Sequence, residues 1–232
     1  MPNDFFPSVP AKIAYKGPAS TDPLSFRYYN EDEVIFGKTM KEWCRFSVCF
    51  WHTFVGGGGQ DPFGEATLKR PWEEEEGLAA DPIALAKKRI DAAFELFTKL
   101  GVPFYTFHEY DVAPEGKTIE ESHKNIDEIV DYLMEKQNNT GVKLLWATQN
   151  LFTHRRYMNG GMSNPLVHTF CYAAAQVQKV MDLNHKLGGS NRKCYQFAAF
   201  KNIKLLMLNS FACSLATVQM SFGEAEKAIS PC

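Results

Sequence analysis

Phe107-His-Glu-Tyr-Asp111 places an imidazole and a carboxylate close together, directly after the apolar run Val102-Pro-Phe-Tyr-Thr-Phe107. A carboxylate that accepts one imidazole N–H fixes the tautomer and leaves the other ring nitrogen for proton transfer. His108 and Asp111 are therefore the candidate catalytic pair. If the preceding run is a parallel strand, both residues fall where such a strand delivers side chains to the functional face of an α/β fold. The same residues would also suit a polar loop with a solvated His and Asp, so the elements around them decide.

Those elements alternate. Phe46-Ser-Val-Cys-Phe-Trp51 is a β-type apolar run, followed by the glycine loop Gly56-Gly-Gly-Gly59 and by Asp61-Pro-Phe-Gly64. Asp81 as N-cap and Pro82 at the first helical position open a helix. Its apolar stripe is Ile83, Ala86, Ile90, Ala93, Phe94 and Phe97, and Gly101 stops it. Residues 103–107 form a second strand. Thr118-Ile-Glu-Glu121 reads as a capping box for a helix carrying Ile119, Ile126, Ile129, Val130 and Leu133, which ends before Gly141. Val142-Lys-Leu-Leu-Trp146 is a third strand. A loop rich in Asn and Gly then leads to a helix from about Asn164 to Leu187, closed by Gly188-Gly189. Strand–helix alternation at roughly 40-residue intervals predicts three parallel βαβ-type units. Residues 1–42 are proline- and turn-rich, with aromatic anchors at Tyr15, Phe26, Tyr28 and Tyr29, and read as an extended arm or lid. Residues 190–219 show neither a helical stripe nor strict alternation and receive no assignment.

The chain has 232 residues, 45% hydrophobic and 22% charged, which suits one large domain or two small ones. A net charge of −2 with interspersed signs predicts neither a nucleic-acid nor a membrane partner. The amino terminus shows no secretory signal pattern, and no apolar run approaches transmembrane length, so a cytoplasmic location is the expectation. The cysteines at 44, 49, 171, 194, 213 and 232 lack metal-site spacing and read as thiols in a reducing compartment.

Residues 5–189 closely resemble D-xylose isomerase, in its class with a long amino-terminal arm. The residues that carry the resemblance are Asp22-Pro-Leu24 with Phe26-Arg-Tyr-Tyr29, Gly37-Lys38 with Met40-Lys41, Phe50-Trp-His-Thr-Phe54 and Asp61-Pro-Phe-Gly64. They continue with Arg70-Pro-Trp72, Phe107-His108 with Asp111, and Ala113-Pro-Glu-Gly116. Leu144-Leu-Trp146 with Thr148, Tyr157-Met158 and Tyr172-Ala-Ala-Ala-Gln-Val177 complete the set. The resemblance implies a (β/α)8 TIM barrel, of which residues 43–189 would supply about three units behind the arm of residues 1–42. It implies aldose–ketose isomerisation of D-xylose to D-xylulose, two Mg2+ or Mn2+ ions per subunit, and a homo-oligomer, a tetramer in the family. Carried over by position, His108 would bind the sugar's ring oxygen and help open the ring, with Asp111 orienting it. Trp51 and Trp146 would wall the sugar, Thr148 and Phe152 match further pocket positions, and Phe63 would complete the neighbouring subunit's site. By residue type alone, Trp51 and Trp146 on strands would be core, and His52 structural.

Two departures accompany the resemblance. Glu109 and Tyr110 stand where the family reads Asp-Arg between His108 and Asp111. The metal ligands and the Ile-Glu-Pro-Lys-Pro motif of the family's later strands have no counterpart here, and residues 190–232 offer no oxygen-ligand cluster for a hard divalent ion. The expectation is that the chain binds no metal tightly and has no useful isomerase activity alone. An open sheet with an uncovered edge is also expected to associate. One legal coding of the family's continuation, Tyr-Val-Phe-Trp-Gly-Gly-Arg-Glu-Gly-Tyr-Gln-Ser-Leu-Leu-Asn, read one base later, gives Met220 to Cys232 and a stop. The tail is accordingly read as intron-derived and frameshifted. The alternative function is a non-catalytic fragment that associates with full-length isomerase subunits.

Overall fold

The computed structural model describes residues 4–55, 70–73 and 80–189. The glycine loop, Asp61-Pro-Phe-Gly64 with Phe63, and the 190–232 tail lie outside the described residues.

A three-stranded parallel sheet carries the fold, built from β3 (Ser47–Cys49), β4 (Phe104–His108) and β5 (Lys143–Thr148) in that order. It is preceded by a small hairpin of β1 (Val34–Ile35) and β2 (Lys38–Thr39) and by the one-turn helix α1 (Met40–Trp43). Phe36 and Gly37 at the hairpin tip have φ of 50° and 78°, two successive left-handed residues of the kind a two-residue hairpin turn demands. After β3 come α2 (Phe50–Thr53) and α3 (Pro82–Leu100). After β4 come α4 (Glu109–Val112) and α5 (Ile119–Thr140), and after β5 comes α6 (Val167–Lys186). The three expected strand–helix units are thus β3–α3, β4–α5 and β5–α6.

The sequence signals act as chemistry at the helix ends. Asp81 accepts from the backbone N–H of Ile83 at 3.1 Å and of Ala84 at 3.0 Å, and Gly101 ends α3 at φ 70°. The capping box expected at Thr118 is only half formed. Thr118 accepts from the Glu121 N–H at 3.2 Å, but the Glu121 carboxylate accepts from Lys117 N at 2.7 Å, one residue before the cap. The apolar run at 46–51 stops being a strand at Cys49, and Phe50 begins a helical turn, so Trp51 is not on a strand. The last helix begins at Val167 rather than near Asn164, because Asn164 spends its side chain on a turn, donating to Gly160 O and accepting from Leu166 N.

Register sorts the strand residues by face. Val48 pairs with Tyr105, Tyr105 with Leu144, and Phe107 with Ala147, and these point toward the helices. There Tyr105 and Phe107 meet Phe50, Phe94 and Phe97 at ring separations of 5.1–6.3 Å, and Phe97 also touches Phe54. Cys49, Thr106, His108, Trp146 and Thr148 share the opposite face. The amino-terminal arm is strapped to α3: Phe5 N and Phe6 N donate to the Glu95 carboxylate at 2.9 and 3.0 Å, and Ile13 N donates to Lys99 O at 2.7 Å. Both phenylalanine rings lie about Trp72.

The outer edge of β5 differs from the uncovered edge expected. Leu144 N donates to Gln137 Oε1 at 2.8 Å, while the Asn184 amide accepts from Ala147 N at 3.0 Å and donates to Ala147 O at 2.8 Å. Side chains of α5 and α6 therefore occupy backbone groups that an added strand would need. No helix among the described residues is long and apolar enough to cross a membrane.

Candidate functional site

His108 is the last residue of β4, and α4 begins at the next residue, so the chain turns back on itself immediately below the imidazole. That one-turn helix brings Asp111 Oδ2 to 2.7 Å from His108 N and 3.0 Å from His108 Nδ1. The backbone N–H can only donate, which identifies Oδ2 as an acceptor. Nδ1–H then donates to the same oxygen, and Nε2 is the nitrogen left for a substrate oxygen. The Asp111 side chain is wholly buried and that of His108 is 15% exposed, so the pair is not a solvated loop. Asp111 Oδ1 is buried with no hydrogen-bond partner among the described residues. Burial pulls the His108 pKa down, but the charge and hydrogen bond of Asp111 and the charge of Glu109 outweigh it, and the net direction is up.

Aromatic rings enclose the imidazole. Trp51 leaves the first turn of α2 and lies 4.7 Å from the His108 ring and 5.6 Å from that of Trp146. Its neighbour Phe50 goes to the core, as successive residues on a tight turn point apart. Phe152, from the loop after β5, meets His108 edge-on at 5.3 Å. Thr148 is the register partner of His108 across the β4–β5 pair, and its hydroxyl donates to Gln149 Oε1 at 3.4 Å. Five of the residues expected at the pocket, together with Asp111, are thus brought together at the carboxyl ends of the strands. Phe63 and the His52 side chain lie outside the described residues.

Glu109 was visible in the sequence only as a departure between His108 and Asp111. In the structure it is a buried carboxylate, 1% exposed, with two short bonds: from Asn150 N to Oε2 at 2.6 Å and from Gln176 Nε2 to Oε1 at 2.6 Å. Gln176 in turn accepts from the Tyr157 hydroxyl. Burial pushes the Glu109 carboxyl up to about 7, against the downward pull of those two bonds. Tyr110 turns into the protein, and burial moves its phenol up as well. A cleft of about 380 Å³ opens beside this region, lined by Tyr110, Glu115, Asn150, Thr153, His154 and Arg155. None of His108, Asp111, Trp51, Trp146 and Phe152 lines it.

The arrangement combines an imidazole of fixed tautomer with flat apolar walls, which suits a polyhydroxylated ligand that presents C–H faces to the rings and an oxygen to Nε2. No protein-family model matches the chain. Curated relatives do: the xylose isomerase of Arabidopsis thaliana is 51% identical over 188 residues, 81% of this chain and 38% of the relative. The chain is homologous to the xylose isomerases. The Rhizobium rhizogenes xylose isomerase is 52% identical over 191 residues, 82% of this chain, and that of Hordeum vulgare 50% identical over 188 residues, 81% of it. The chain spans about two fifths of the length of these curated relatives, 38% to 42%. Divalent metals belong to the expectations that homology brings. Among the described residues no group of three or more His, Cys, Asp or Glu could hold a metal ion.

Proposed function

We propose that this chain carries the sugar-binding and ring-opening part of a D-xylose isomerase site on the first three βα units of a TIM barrel. The observation that supports it is the His108–Asp111 pair at 3.0 Å, set among Trp51, Trp146 and Phe152 at the end of a parallel strand. His108 would place Nε2 at the ring oxygen of D-xylose and move the proton that ring opening requires. Asp111 would hold the tautomer and stabilise the imidazolium. Trp51 and Trp146 would pack on C–H faces of the sugar and exclude water, with Phe152 fixing the imidazole from its edge. Thr148 would line the same pocket, and Phe63 would reach the site of a neighbouring subunit.

The metals of the proposed reaction do not fit the described residues, which hold no group of three or more His, Cys, Asp or Glu able to bind one. Two Mg2+ or Mn2+ ions, when bound, would polarise the sugar carbonyl, and their oxygen ligands would have to come from elsewhere than the described residues. The reading therefore has this chain inactive by itself.

The test measures conversion of D-xylose to D-xylulose with Mn2+, for the chain alone and for the chain mixed with an intact relative such as the Arabidopsis enzyme. No turnover by the chain alone is expected. Turnover by the chain alone would overturn the reading of a site lacking its metal ligands. Co-elution with the intact relative at fixed stoichiometry would favour a non-catalytic fragment that joins full-length subunits.

A further inference from the structure

We propose that Glu109 is the positioning residue that seats the His108 imidazole, by clamping the loop after β5 to helix α6. The catalytic interest of this inference rests on the role proposed for His108, but the clamp itself is a statement about geometry and is tested without sugar.

The carboxylate sits at the junction of three elements. It belongs to α4, one residue after His108. Its Oε2 takes the backbone N–H of Asn150 at the exit of β5, and its Oε1 takes the side-chain amide of Gln176 on α6, both at 2.6 Å. Gln176 Nε2 also reaches Asn150 O at 3.4 Å, and its Oε1 accepts from the Tyr157 hydroxyl. Three parts of the site surroundings, the β5 exit, the 155–157 turn and α6, are thereby referred to one carboxylate.

Asn150 passes this constraint onward. Its side-chain Oδ1 accepts from Phe152 N at 3.3 Å and Thr153 N at 3.0 Å, a local turn that sets where Phe152 projects. Phe152 then lies edge-on to the imidazole at 5.3 Å, and Trp51 meets the same ring at 4.7 Å. Asp111 sets which nitrogen carries the proton. Glu109, through Asn150 and Phe152, sets where the ring stands. A buried carboxylate without donors would be heavily penalised, so this one is kept in place by the bonds that make it a clamp.

The chemistry separates three variants. In Glu109→Ala both acceptors vanish. Glu109→Asp keeps the charge but is one methylene too short to reach both donors. Glu109→Gln keeps the reach: its oxygen can accept from Asn150 N, and a flipped Gln176 can present its oxygen to the new amide, with Tyr157 accepting in turn.

The full chain is used in NMR. The readouts are the His108 Hε1 shift, which the currents of the Trp51 and Phe152 rings displace, and amide exchange at Asn150, Phe152 and Thr153. At pH 8, where the carboxylate is ionised, exchange in Glu109→Ala and Glu109→Asp is expected to quicken on the order of ten- to a hundredfold at the Asn150 amide, the range for losing a charge-assisted bond, and to quicken with it at Phe152 and Thr153. The Hε1 resonance should move toward its unstructured position. Protection in α3 and α5 should stay unchanged, and Glu109→Gln should restore the wild-type pattern. Phe152→Leu should move Hε1 with Glu109 still present, which makes Phe152 the relay.

Either of two results would overturn the proposal. One is an unmoved Hε1 and unchanged 152–153 exchange in Glu109→Ala. The other is loss of protection throughout α3 and α5 in both Glu109→Ala and Glu109→Asp, which would make Glu109 a general fold determinant. An absence of sugar binding would bear on the proposed function and leave these readouts untouched.

Discussion

Replacing Asp111 by Asn changes one charge at the centre of the site while conserving shape. In the wild type one oxygen serves two donors, His108 N at 2.7 Å and His108 Nδ1 at 3.0 Å. At 3.0 Å and an effective dielectric of about 20, the Coulomb energy with an imidazolium would be about 5–6 kcal/mol, a ceiling before desolvation is charged against it. Measured hydrogen bonds to charged groups contribute about 1.5–3 kcal/mol, and the Asn oxygen still accepts, so the loss should fall in or below that range. The amide NH2 would take the place of Oδ1, which has no partner among the described residues. The folded-state pKa of His108 is raised, so the charge-dependent part of the stabilisation is fully present below the unfolded value of about 6.5 and is lost as pH rises through the folded value. Asp111→Asn should therefore unfold more easily in urea at pH 5.5 than the wild type, with the gap closing by pH 9. The His108 titration followed by NMR should move down. An equal gap at both pH values, with an unmoved His108 titration, would refute the reasoning.

Three other outcomes follow from the same geometry. Glu109 has a carboxyl raised from 4.5 to about 7, so the folded state binds more protons than the unfolded state between those values, and stability falls as pH rises through that window. Thermal melts of Glu109→Gln should show a flatter profile over pH 4.5–7, by at most about 3 kcal/mol; parallel profiles would contradict the assignment. Phe97→Ala, which empties the middle of a cluster with Phe50, Phe54, Phe94 and Tyr105, should cost about 3–5 kcal/mol in urea unfolding, and a loss below about 1 kcal/mol would show that the cluster collapses onto the void. Asn184→Ala leaves Ala147 N–H and C=O without the amide and opens that part of the β5 edge, so light scattering should show stronger concentration-dependent association than the wild type shows; identical behaviour of the two would mean that the amide does not protect the edge.

Much of this was legible in the chain because the signals are local. Asp81, Pro82 and Gly101 bound α3, and the stripe from Ala86 to Phe97 faces the core, since caps and helical period act within one element. The His108–Asp111 pair was legible for the same reason, being set by one turn of chain. What escaped was non-local. Trp51 reads as the end of a strand, but the strand ends two residues earlier at Cys49, where Phe50 packs into the aromatic core. Glu109 and Gln176 lie 67 positions apart and each alone looks like a surface residue; only assembly of α4 with α6 buries them together. The covered β5 edge likewise depends on Gln137 and Asn184, polar residues on otherwise ordinary helices.

The most direct test of the account is a D-xylose titration of the full chain followed by NMR at the Trp51 and Trp146 indoles and at His108. Saturable shifts are expected at all three and none at Trp43 or Trp72, with Trp146→Ala abolishing the response at His108. Shifts absent from all three, or equal at the four tryptophans, would contradict it.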